Sequence, residues 1–81
     1  MKSDQEIYNA LSEILRKMLS LDNIEVTEST TADDFDEWDS YQHIAFILAV
    51  EEHFGIKLDI SEIEAYLQVS NLVQAIKDST N

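Results

Sequence analysis

The 81 residues contain no proline and a single glycine, Gly55, which leaves few folds open. Hairpin turns and sandwich corners draw on Gly and Pro, so a chain this poor in both is expected to be helices joined by polar connectors. Hydrophobic residues make up 44% of it, enough to exclude wholesale disorder. The expectation is one domain over residues 1–81, near the size at which a core only just suffices. No apolar stretch approaches the roughly 18 residues of a membrane span. Met1-Lys2-Ser3-Asp4 carries no apolar signal region, so a cytoplasmic location is expected.

Periodicity places the helices. Ser3-Asp4-Gln5-Glu6 matches a capping box, and Ile7, Leu11, Ile14, Leu15 and Met18 then recur at helical spacing, predicting a helix from residue 4 to about residue 20. Residues 21–39 keep no period and read as a long loop pinned to a core through Ile24, Val26, Phe35 and Trp38. A second helix is predicted over 40–54, with Gly55 as its left-handed stop. Its apolar run, Ile44 to Val50, covers too much of the circumference for a simple surface helix. Either this helix is central, or part of its apolar surface is offered to a ligand or partner. Ile56 to Ile60 alternates like a strand but has no partner strand, so it is read as an extended connector. Ser61 would cap a short third helix through Leu67, and a fourth would begin at Ser70 or Asn71 with Leu72, Val73 and Ile76 facing inward. The predicted fold class is all-α, a small four-helix bundle with a long first loop and a short third helix. Phe46, Ile47, Val50, Phe54, Ile63 and Leu67 are its expected core.

Several chemistries are poorly supported. Without cysteine there is no disulfide, thiolate metal site or cysteine nucleophile. A net charge of −12 disfavours nucleic acid and suits basic protein surfaces. His43 and His53 lie ten residues apart on one helix, about 80° out of line, and neither belongs to a zinc motif. The acidic run from Asp33 to Asp39 lacks the glycine and terminal glutamate of a calcium loop, so no metal site is assigned. No phosphate loop, nucleophile elbow or catalytic triad is visible, and no catalytic residue is assigned.

Asp39-Ser40 stands apart from this. It separates the acidic run from the most apolar segment, which places Ser40 at or just outside the first turn of the second helix. Asp-Ser is an ordinary N-cap signal, and capping alone would account for it. The same position also holds a hydroxyl near the unpaired N–H groups of a helix start, an environment that favours a phosphate ester.

The longer stretch decides between these readings. Asp39-Ser40-Tyr41-Gln42-His43-Ile44-Ala45-Phe46-Ile47-Leu48-Ala49-Val50-Glu51-Glu52-His53-Phe54-Gly55 resembles the carrier helix of acyl carrier proteins, in which Asp-Ser-Leu opens the second helix and an apolar run ends in a Glu-Glu-x-Phe-Gly pattern. Length, helix order, the long first loop and acidity carry the resemblance over essentially the whole chain. It implies that Ser40, beside Asp39, is the attachment site for 4′-phosphopantetheine from coenzyme A, whose thiol supplies what the chain lacks. It further implies a carrier rather than an enzyme, holding an acyl group as a thioester for partner enzymes.

The implied partners are a phosphopantetheinyl transferase, an acyl-loading ligase or acyltransferase, and other basic-surfaced enzymes of the pathway. They would meet Tyr41, Gln42, Ile44, Ala45, Leu48, Glu51 and Glu52, with the carrier acting as a monomer. In related carriers the bundle parts to shelter an acyl chain between the second and third helices.

This sequence departs from the family at Tyr41, where leucine is usual, and at Glu37, where many members have glycine. Phe35 and Trp38 replace a leucine and a small residue in the loop. Gln42 and Ala45 stand where acidic residues are common. These departures imply a specialised lipid or secondary-metabolite pathway with its own loading enzyme. The alternatives are an aminoacyl or peptidyl carrier and an unmodified adaptor whose serine only caps a helix.

Overall fold

The computed structural model describes residues 3–80; Met1 and Lys2 of the polar N-terminus lie outside the described residues, as does Asn81. Three α-helices, α1 (Asp4–Leu19), α2 (Ser40–Phe54) and α3 (Val69–Thr80), enclose one apolar core. The Ser3 hydroxyl accepts the Glu6 N–H and starts α1. Ile7, Leu11 and Leu15 then form a fully buried stripe against α2 and α3. The helix ends on Ser20 in the left-handed region, φ 56°. At the far end of α2, Gly55 takes φ 66° while its N–H bonds the Glu51 carbonyl. Open space surrounds the position of a side chain there, so it is the backbone conformation that calls for glycine.

The loop from residue 20 to residue 39 is pinned at both ends, which is what sets the start of α2. The Ser12 hydroxyl, buried on α1, donates to the Tyr8 carbonyl and accepts the buried Val26 N–H, each at 2.8 Å. Arg16 Nε donates to the Ile24 carbonyl, also at 2.8 Å. Ile24 and Val26 are buried as expected, and Phe35 is half-buried. A 3₁₀ turn at Ala32–Asp34 follows, closed by the Asp34 carboxylate accepting the Thr31 N–H. The Thr30 carbonyl accepts the Val69 N–H, which fastens the loop to the start of α3.

The all-α class holds, but the expected third helix does not form as an α-helix. In its place stand two 3₁₀ turns, Ile60–Glu62 and Ala65–Leu67. The cap is Asp59 rather than Ser61: Asp59 Oδ1 accepts both the N–H and the hydroxyl of Ser61. Seven residues are too few to nucleate an independent α-helix. Ile60, Ile63, Tyr66 and Val69 also recur every three residues, the period of a 3₁₀ row. Along that row burial deepens from exposed Ile60 to fully buried Val69. Leu67, expected in the core, is 38% exposed, whereas Phe54 and Ile63 are half-buried and Phe46, Ile47 and Val50 are buried. α3 starts one residue ahead of the expected Ser70, with Leu72, Val73 and Ile76 inward.

Two measurements follow from these pins. Ser12→Ala leaves the buried Val26 N–H without its acceptor and lowers the unfolding free energy by about 1–3 kcal/mol in urea titrations, while exposed Ser70→Ala does not. The Ser61 hydroxyl, and then its N–H, hold the Asp59 carboxyl below its ordinary value of 3.8. The stabilisation from this turn is therefore present above the ordinary carboxylate pKa and fades as pH falls through the lowered one. Ser61→Ala raises the Asp59 midpoint in an NMR titration.

Candidate functional site

α2 begins with its cap one residue before the serine. Asp39 Oδ1 accepts the Gln42 N–H at 2.8 Å and its carbonyl accepts the His43 N–H at 2.9 Å. Asp39 is thus the N-cap and Ser40 the first helical residue. Ser40 is exposed, and its hydroxyl makes no hydrogen bond among the described residues. The bond that holds the helix end is made by the aspartate, which leaves the hydroxyl available for chemistry. It sits at the positive end of the helix dipole, at the rim of a groove of about 520 Å³.

The groove runs between the start of α2 and the 3₁₀ turns. Ile44, Ile63 and Leu67 give it apolar walls, and Asp33 and Glu64 lie on its edge. Below lie Trp38 and His43, 5% and 4% exposed. The Trp38 indole packs edge-on against Phe46, ring centroids 5.1 Å apart. Its N–H donates to His43 Nδ1 at 3.2 Å, and His43 Nε2 lies 2.7 Å from the Ile63 carbonyl. An indole nitrogen only donates and a carbonyl only accepts, so His43 is held as the neutral tautomer with its proton on Nε2. Both ring nitrogens are engaged. His53, exposed at the other end of α2 and edge-on to Phe54, is not brought near it.

The outer face of α2 collects the remaining residues of interest. Tyr41, Ile44 and Leu48 are 78%, 49% and 55% exposed, at the spacing of one helical stripe. Glu52 continues that stripe and is exposed, and Gln42 and Ala45 are half-buried beside it. Glu51 is different: Oε2 accepts the Leu58 N–H at 2.7 Å, so its carboxylate ties down the connector after Gly55. Among the described residues no group of three or more His, Cys, Asp or Glu is placed to hold a metal ion. No described helix is long and apolar enough to cross a membrane. Sequence reasoning missed the pairing of Trp38 with His43 and the second role of Glu51. Trp38 is legible as an anchor of the loop, but nothing in the sequence points to His43 as its partner.

The bundle thus exposes, at the head of its central helix, a serine whose hydroxyl makes no hydrogen bond among the described residues. The family profile described as a phosphopantetheine attachment site matches residues 9–76. The chain is 31% identical over 77 residues to the acyl carrier protein of Petrotoga mobilis, covering 94% of this chain and 89% of that protein. It is 29% identical over 75 residues to the acyl carrier protein of Lactobacillus acidophilus, covering 93% and 94%. The solution structure of a holo acyl carrier protein from Geobacter metallireducens superposes with a TM-score of 0.81 at 32% identity, covering 90% of this chain and 84% of that one. The chain belongs to the acyl carrier protein family. It is a carrier and not an enzyme, and its prosthetic group is 4′-phosphopantetheine.

The capping geometry separates the two residues of the motif. Asp39→Ala costs about 1 kcal/mol of stability, whereas Ser40→Ala changes it by less than about 0.5 kcal/mol, both read from urea unfolding.

Proposed function

We propose that this protein carries an acyl group as a thioester on 4′-phosphopantetheine attached to Ser40, and presents it to the enzymes of a specialised lipid or secondary-metabolite pathway. The observation that carries this reading is the division of labour at the head of α2. Asp39 caps the helix through its own carboxylate, and the Ser40 hydroxyl is exposed and idle in the fold. An unmodified adaptor would have no use for that hydroxyl.

In the loading step a phosphopantetheinyl transferase binds the acidic end of the carrier and activates the pyrophosphate of coenzyme A with its own magnesium. Ser40 Oγ bonds to the phosphorus next to the pantetheine, the pyrophosphate P–O bond breaks, and 3′,5′-ADP leaves. The hydroxyl proton passes to a base on the transferase. Asp39 keeps the helix start in register through this step. The bound group supplies the thiol that forms the thioester.

Tyr41, Ile44, Ala45 and Leu48 form the apolar centre of the proposed docking face, with Gln42 at its edge and Glu52 as its exposed charge. Glu51 serves it chiefly by fixing the connector that follows α2. Fast, salt-sensitive association with basic-surfaced partners suits a carrier that must reach several enzymes and leave each. The protein is taken to work in the cytoplasm as a monomer.

Incubation with coenzyme A and a broad-specificity phosphopantetheinyl transferase adds one phosphopantetheine to the intact mass. The addition is absent from Ser40→Ala. A folded wild-type protein that gains no mass overturns the carrier reading. Glu52→Lys slows loading several-fold at low salt, and the difference from wild type shrinks as salt rises. Equal rates at every ionic strength would remove Glu52 from the docking face.

A further inference from the structure

The groove beside Ser40 is not an open way into the bundle. Beneath it the Trp38 indole, the His43 imidazole and the Ile63 carbonyl form a continuous hydrogen-bonded strap. This strap joins the long loop, α2 and the 3₁₀ turns. Trp38 also fills the space against Phe46, and both strap side chains are at most 5% exposed.

We infer that Trp38 and His43 gate the cargo: the closed strap keeps short acyl chains in the surface groove and out of the bundle interior. The inference rests on the carrier reading given above. An alkyl chain moving inward between α2 and the 3₁₀ turns must part His43 from Ile63 and lift the indole off Phe46. That leaves an indole N–H, an imidazole and a carbonyl buried without partners, and an alkyl chain offers them none. Each methylene sheltered in return shifts the equilibrium only about fourfold. A chain of a few carbons therefore cannot open the strap, and it rests against Ile44, Ile63 and Leu67 with its end near solvent.

The gate is tested by loading Ser40 with acetyl-, butyryl-, hexanoyl- and octanoyl-phosphopantetheine from the corresponding acyl-coenzyme A, and checking each product by intact mass. Tm and the emission maximum of Trp38, the sole tryptophan, are then read for each product. Wild type is expected to show the same Trp38 emission and nearly the same Tm for acetyl and butyryl, with any rise confined to the longest chains. In His43→Leu, which keeps an apolar side chain but makes neither bond, Tm climbs with chain length, by roughly 4 °C or more per two carbons. Trp38→Phe removes the indole donor together with part of the packing on Phe46, is followed by Tm alone, and shows an intermediate slope, which keeps the test open should His43→Leu fold poorly. A wild-type Tm that rises with chain length as steeply as in the variants overturns the gate. A mass that shows no addition at all overturns the carrier reading beneath it.

Discussion

The contact between Trp38 and the helix that follows it governs much of the rest. Twenty residues of loop must bring the chain back from the end of α1 and deliver Asp39 in the extended conformation that a cap requires. Ser12 and Arg16 hold the first part of that path to α1. Trp38 holds the last part by packing on Phe46 while its N–H is taken up by His43. Because the anchor lies one residue before the cap, the position of the cap and of Ser40 is set by a buried side chain rather than by the exposed loop. The Ser40 hydroxyl is thereby exposed on a rigid element, which suits the attachment role proposed for it.

The breadth of the apolar surface on α2 has two separate causes. Phe46, Ile47 and Val50 face the core and are at most 1% exposed. Tyr41, Ile44 and Leu48 face solvent on the other side. Folding accounts for the second set only in part, since Ile44 and Leu48 leave about half of their surface in solvent and Tyr41 most of it. An exposed apolar stripe beside the candidate attachment serine, within a protein of net charge −12, fits a partner surface with an apolar centre and a basic rim.

Much of this was legible in the sequence because it is periodic or capped. The stripe Ile7, Leu11, Leu15, the cap at Ser3 and the stop at Gly55 each announce themselves locally, and α1 and α2 fall where those signals put them. The third helix was misread because a capping serine and an apolar spacing of three suit an α-helix and a 3₁₀ turn alike. Only the preference of Ser61 for the Asp59 carboxylate, and the shortness of the segment, decide for the turns. The motif around Ser40 was legible as a motif, but not the split by which Asp39 caps and Ser40 stays free. The Trp38–His43 bridge has no sequence signature, because it spans a loop–helix boundary at a separation of five, which corresponds to no secondary-structure period.

Glu51 and Glu52 show how far charge counting goes. As adjacent carboxylates near the end of α2 they look interchangeable, and both would count toward a negative docking face. In the fold they point about 100° apart, and one of them is taken up by the Leu58 N–H. A carboxylate that accepts a backbone bond is held in place with one oxygen occupied, so it is less free to pair directly with a partner's cation than its exposed neighbour is. Fewer carboxylates of the proposed docking face are therefore free for direct pairing than the sequence implies, and the apolar stripe of Tyr41, Ile44 and Leu48 must carry more of the contact. A partner selected on shape and apolar fit is more particular than one selected on charge alone. That is the kind of selectivity the specialised pathway proposed above would call for.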